Sequence, residues 1–239
     1  MTTGRREVML AGLGMLLVGC EKTESVTSRP RPSWPSVPAS SASSAPTARD
    51  YRATPAPPPQ LLQQSPAAAR VGRLNVIPRS AWTRTGPSRG NVSPMAGVQR
   101  VTVHHEGWRP VYFDDRLTTA HRLEIIRSAH TGQRGWGDIG YHYAVDRAGR
   151  TWEARPLAYQ GAHVKNRNEH NIGVLALGNF DQQAPTNAQL AGLQSTLAAL
   201  CAAHRIPASR IHTHQELNPT ACPGKHLQPR VAVIRQRLA

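Results

Sequence analysis

The most regular pattern of apolar positions runs through TNAQLAGLQSTLAALCAAH (186–204). There Leu190, Leu193, Leu197, Leu200 and Cys201 recur every three or four residues and mark one face of a helix. Thr186 and Gln189 read as a capping box at its start, and Pro207 follows its end. Cys201 on that face is expected to be a buried thiol. A second helix is predicted over 115–130, where Leu123, Ile126 and His130 share a face. RVTVHH (100–105) alternates and is rich in β-branched residues, so it reads as a strand. YHYAVDRAGRTWEAR (141–155) reads as two short strands around a turn at Arg147–Gly149, and NIGVLALG (171–178) as a strand in the middle of a sheet. A short terminal helix is expected over 228–238. Strands alternating with helices predict an α/β domain: one central mixed β-sheet flanked by helices. Strand parity sets Val101, Val103 and His105 on one face of 100–105 and Arg100, Thr102 and His104 on the other. With the valines toward the core, His104 faces a site and His105 packs.

The first 72 residues follow a different pattern. Arg5 and Arg6 precede a short apolar run, Val8 to Val18, which is too short for an ordinary membrane span and ends in Leu17-Val18-Gly19-Cys20. This resembles the lipobox of bacterial lipoproteins. Residues 1–20 are expected to be a signal peptide, with Cys20 as the lipidated residue and membrane anchor. Residues 21–72 hold ten of the 20 prolines amid Ser and Ala. Such a segment buries too little apolar surface to offset its ordering entropy and reads as a disordered tether. Where extended, it reaches on the order of 100 Å. The folded domain is expected over 73–239, exported, membrane-anchored and periplasm-facing.

Charge narrows the picture less than it suggests. The chain carries a formal net charge of +15, and only Lys22, Lys165 and Lys225 are lysines. The arginines are scattered, with no recognition helix or RNA-binding signature, so nucleic acid is not expected as a partner. Three cysteines cannot build a disulfide framework. With Cys20 and Cys201 accounted for, Cys222 remains.

Cys222 lies in HTHQELNPTACPGKH (212–226), which packs His212, His214, Cys222 and His226 into one short stretch. All 11 histidines lie beyond residue 100. A catalytic zinc needs about three protein ligands and an open position. This stretch can supply two, because the loop between His214 and Cys222 is long enough to fold back around an ion. His104-His105 is the obvious source of a third, and parity favours His104.

In order along the chain stand VTVHHEG (101–107), GWGDIGYHYAVDRAGRTWEAR (135–155), GAH (161–163), NIGVLALGNF (171–180) and HTHQELNPTACPG (212–224). Together they resemble the type 2 zinc-dependent N-acetylmuramoyl-L-alanine amidases, a group that includes the peptidoglycan recognition proteins and phage-type amidases. IPRSAWTR (77–84) resembles the Arg-x-x-Trp that opens the domain. The resemblance covers about residues 76–227. It implies one Zn²⁺ held by His104, His214 and Cys222, with His212 and His226 as neighbours. It implies Tyr141 and Thr220 as catalytic donors toward the oxyanion formed when the amide between muramic acid and L-alanine is cut. Gly135 and Trp136 resemble the pair associated with meso-diaminopimelate stem peptides. Arg155 is a candidate for facing the extra carboxylate, and His163 for touching substrate or packing beneath the site. Leu175 stands where the cytoplasmic recycling branch carries a glutamate, which argues against that branch. Glu106 and Glu216, beside the ligands in sequence, are expected to be solvated. The expected partner is peptidoglycan or its muropeptides, acted on by a monomer. The alternative is a peptidoglycan-binding module without catalysis.

Overall fold

A computed structural model describes residues 69–239; Cys20 and the tether up to residue 68 lie outside the described residues. Seven strands form one sheet in the order β1-β2-β5-β4-β6-β3-β7. They are β1 (Ala69–Val71), β2 (Leu74–Ile77), β3 (Arg100–His105), β4 (Tyr143–Val145), β5 (Thr151–Glu153), β6 (Asn171–Ala176) and β7 (Ile211–Thr213). The pairs β1/β2 and β4/β5 are antiparallel, and the other four are parallel. The helices are α1 (Arg116–Arg134), α2 (Asn187–His204), a single turn α3 (His214–Leu217) and α4 (Gln228–Arg237). This is the mixed α/β architecture read from the sequence, with a central sheet flanked by helices. The boundary expected at 72/73 falls instead in the β1–β2 hairpin, where Val71 pairs with Leu74 around Gly72 (φ 60°) and Arg73.

Both faces of the sheet are covered. Val101, Val103, Ile172 and Val174 pack with Leu193, Leu197 and Leu200 of α2 and with Val231 and Ile234 of α4. On the other face Ala144, Trp152, Leu175 and Leu177 pack with Leu123 and Ile126 of α1. Each fully buried leucine contributes roughly 1.5–3 kcal/mol. His104 shares the second face, since it pairs in register with Leu175, which pairs with Ala144. The face opposite the valines is therefore a second core, and His104 is only 1 % exposed there.

The α2 face is as the pattern predicts, with two corrections. Cys201 is half-buried at its edge. The capping box is only half present. Thr186 Oγ1 accepts from Gln189 N at 3.0 Å, but the Gln189 side chain turns inward. It is 1 % exposed, and its Nε2 donates to the carbonyls of Val145 (3.1 Å) and Leu177 (3.0 Å). The sheet's demand for donors at the ends of β4 and β6 outweighs the local cap. Elsewhere Asp115 caps α1 by accepting from Thr118 N, and Gly135 ends it in the left-handed region (φ 65°).

The Arg-x-x-Trp segment braces the chain leading into β4. Arg79 Nη2 pairs with buried Asp138 at 2.9 Å, and Trp82 Nε1 donates to the Glu153 carbonyl at 2.7 Å.

Gln189→Ala is expected to lower the unfolding free energy by about 1 kcal/mol, because it strands the buried Leu177 carbonyl and leaves the Val145 carbonyl with Leu177 N alone. Urea unfolding of the purified domain checks this; an unchanged midpoint would show that those carbonyls do not depend on Gln189.

Candidate metal centre and its groove

Strand β7 runs parallel to β3, with Val101 opposite Ile211, Thr102 opposite His212 and Val103 opposite Thr213. The next residue on each chain is His104 and His214, so the register delivers two imidazoles side by side, with ring centroids 4.7 Å apart. From His214 the chain makes one helical turn and doubles back, and Gln215 N donates to the Cys222 carbonyl at 2.8 Å to close the loop. The ligand atoms of His104, His214 and Cys222 lie within 4.8 Å of one another.

This donor set fits a metal ion. Tetrahedral zinc with Zn–S near 2.3 Å and Zn–N near 2.0–2.1 Å sets sulfur and nitrogen about 3.6 Å apart. Cys222 Sγ and His104 Nδ1 are 3.6 Å apart. Burial, then the neighbouring histidines, holds the His104 ring well below its ordinary pKa, and burial, then His105, lowers that of His214. Both are neutral, as ligands must be. Burial also pushes the Cys222 thiol up to about 12, partly opposed by the His105 N–H, which donates to Sγ at 3.4 Å.

His212 and His226 stay outside the set. His212 Nδ1 lies 4.0 Å from a Glu216 oxygen, and His226 is exposed. His105 points into the opposite core, where its Nδ1 accepts from Phe180 N at 3.2 Å.

Tyr141 precedes β4, so it is not the strand residue that its parity with Tyr143 suggests. Its ring centroid lies 5.2 Å from that of His104. Burial raises its pKa, so the phenol keeps its proton. Thr220 Oγ1 accepts from Cys222 N at 3.2 Å, leaving its O–H to donate. Trp136 lies against His130, with centroids 4.7 Å apart, and His130 lies 5.7 Å from Tyr141. His130 was legible only as one position of an apolar helical face. Burial, then Arg134 and Arg155, lowers its pKa to about 4, and its Nδ1 accepts from Gly140 N at 3.1 Å.

Two expectations change. Arg155 is 3 % exposed, and its guanidinium donates to the carbonyls of Ile139 (2.7 Å), Asp138 (3.0 Å) and Gln160 (2.6 Å). Two of these donors thus hold the segment leading to Tyr141 and the third the loop at Gln160, rather than reaching into open space. Glu106 is not solvated: its side chain is 6 % exposed and paired with Arg122. Burial raises its pKa against the pull of Arg122. His163 is 7 % exposed and lies beneath His104, with 3.0 Å between His104 Nε2 and His163 Nδ1. Leu175, fully buried beside His104, puts no carboxylate there.

Comparison with known proteins agrees with this fold. A family model described as N-acetylmuramoyl-L-alanine amidase matches residues 94–225. Peptidoglycan-recognition protein SC2 of Drosophila melanogaster is 27 % identical over 162 residues, covering 67 % of this chain and 86 % of that protein. N-acetylmuramoyl-L-alanine amidase of Homo sapiens is 32 % identical over 162 residues, which is 66 % of this chain and 28 % of the larger relative. Among solved structures, peptidoglycan recognition protein-LE in complex with tracheal cytotoxin, a monomeric diaminopimelic acid-type peptidoglycan, aligns with a TM-score of 0.60. It is 26 % identical and covers 66 % of this chain and 92 % of that one.

The turn bearing His214 is braced by Glu216. Its carboxylate accepts from Thr213 N at 3.0 Å and from both terminal nitrogens of Arg235, each at 3.0 Å. Burial acts to raise its pKa, but the Arg235 and Thr213 hydrogen bonds outweigh this and hold the carboxyl below its ordinary 4.5. A depressed carboxyl stabilises the fold above its unfolded pKa and loses that contribution as pH falls through the folded value. Glu216→Gln is therefore expected to cost about 1 kcal/mol at pH 7, after allowance for solvent screening. Thermal unfolding at pH 7 and pH 3 checks it, since the gap between variant and parent should close in acid; a gap independent of pH would contradict this role.

Proposed function

The chain belongs to the N-acetylmuramoyl-L-alanine amidase family, and from that premise we propose that it is a zinc-dependent hydrolase of the amide between N-acetylmuramic acid and L-alanine in peptidoglycan. The observation that carries the reading is the convergence of His104, His214 and Cys222 within 4.8 Å, beside the protonated Tyr141. A zinc ion held there would supply Lewis acidity and lower the pKa of a water toward neutrality.

The chain's own groups do the rest. His104 and His214 are neutral at working pH and need lose no proton to act as donors. Tyr141 donates from its phenol, and Thr220 from its hydroxyl, to the carbonyl oxygen as it gains charge. Charge on that oxygen is worth more to both donors at a partly buried site than in bulk water. Trp136 and His130 form an aromatic wall continuing from Tyr141. Gly135 and Trp136 support a preference for meso-diaminopimelate stem peptides, as does the diaminopimelic acid-type ligand of the recognition protein aligned above. The apolar run ending at Cys20 and the proline-rich segment after it support export, lipidation at Cys20 and a tethered position facing the periplasm.

A peptidoglycan-binding module without catalysis would use the same groove. It would need neither the thiol nor the phenol, and the presence of both favours hydrolysis.

Purified protein incubated with muropeptides is expected to release peptides beginning with L-alanine, seen by mass spectrometry and abolished by a chelator. Unchanged muropeptides in the presence of zinc-loaded protein would leave only the binding module. Tyr141→Phe is expected to lower kcat by about 100-fold or more while retaining zinc, as loss of one oxyanion donor does; near-parental kcat would remove Tyr141 from the reaction. Metal analysis should find zinc lost from His104→Ala and Cys222→Ser and retained in His212→Ala; equal loss in His212→Ala would overturn the ligand choice.

A further inference from the structure

We propose that His163 is the positioning residue that decides which nitrogen of His104 faces the metal. The inference rests on His104, His214 and Cys222 being the ligands, and the order of the hydrogen bonds carries it. His163 Nε2 lies 3.1 Å from the main-chain oxygen of Asn171. A carbonyl oxygen only accepts, so Nε2 carries the proton. A neutral imidazole has one N–H, so His163 Nδ1 presents a lone pair. That lone pair lies 3.0 Å from His104 Nε2, which must then hold the proton of His104 and donate it. His104 Nδ1 is left with its lone pair, and it is this nitrogen that lies 3.6 Å from Cys222 Sγ. Two hydrogen bonds thus transmit the fixed polarity of one backbone carbonyl on β6 to the ligand atom on β3.

The slot around His163 is shaped for an imidazole. A Cβ at Gly173 would lie 2.6 Å from its Cδ2, and one at Gly161 would overlap the same ring. The backbone is pinned as well: Asn168 Oδ1 accepts from His163 N at 2.9 Å and from Val164 N at 2.8 Å. A ring serving only as packing has no need of an acceptor aligned on the second nitrogen of a ligand histidine. One serving as a substrate contact would need more than 7 % exposure. Histidine ligands generally hold their orientation through the second nitrogen, most often on a carboxylate, a carbonyl or water. Here the acceptor is a second neutral histidine, which orients the ligand without adding negative charge beside Cys222.

The test titrates the metal-free full chain with zinc against a chromophoric chelator and records the visible spectrum of the Co²⁺ form. His163→Leu removes the acceptor, and His163→Gln keeps one in a similar volume. Gly161→Ala leaves every donor in place but crowds the ring. His163→Leu is expected to bind zinc about 10–100-fold more weakly with an altered Co²⁺ spectrum. His163→Gln should recover most of the affinity, and Gly161→Ala should shift in the direction of His163→Leu, with circular dichroism confirming each fold. Parental zinc affinity and an unchanged Co²⁺ spectrum in folded His163→Leu would overturn the proposal, even if muropeptide cleavage were lost, because the ring would then be a substrate contact. If His163→Leu does not fold, His163→Gln and Gly161→Ala both binding zinc as the parent does would overturn it. A parent chain that binds no zinc would overturn the ligand reading itself, which separates the two failures.

Discussion

The parallel pairing of β3 with β7 is the constraint on which the rest depends. Its register places Val103 opposite Thr213 and so brings His104 level with His214, across more than a hundred residues of intervening chain. A slip of one residue would turn one of the two imidazoles to the opposite face of the sheet. The register is held by burial, because Val101, Val103 and Ile211 must all reach the core packed beneath α2 and α4. The hydrophobic pattern that specifies the fold therefore also specifies the site.

Around that pairing, short braces convert proximity into a defined arrangement. Gln215 N closes the loop that returns Cys222 to the strand ends, and Glu216 ties the same turn to Arg235 of α4. Arg79 and Arg155 secure the segment carrying Tyr141, one through Asp138 and the other through backbone carbonyls. The site is partly buried, and this sets its charge state. Burial keeps the histidines neutral and the phenol protonated, while the lone thiol is left as the group from which binding of a metal would displace a proton.

Much of this was legible in the chain. The alternation of RVTVHH, the helical face of 186–204 and the turn within 141–155 each became the element they suggest, because local pattern and tertiary packing agree there. Parity correctly separated His104 from His105, since β3 is regular throughout. Where reading from the chain failed, a distant partner decided the outcome. Gln189 left its cap because its amide reaches the Leu177 carbonyl just beyond β6 and adds a second donor to the Val145 carbonyl at the end of β4. Glu106 was drawn inward by Arg122, and Arg155 by carbonyls on two loops. His163 and His130 could not be assigned from spacing at all, because their roles follow from ring contacts with residues brought together only by the fold.

X-ray absorption of the zinc-loaded protein tests the central claim, that one strand pairing and one returning loop assemble an open three-ligand metal site. The expected shell is a single sulfur at about 2.3 Å, two imidazole nitrogens at about 2.0–2.1 Å and one further light-atom neighbour from solvent. A shell without sulfur, or one closed by four protein ligands, would contradict it.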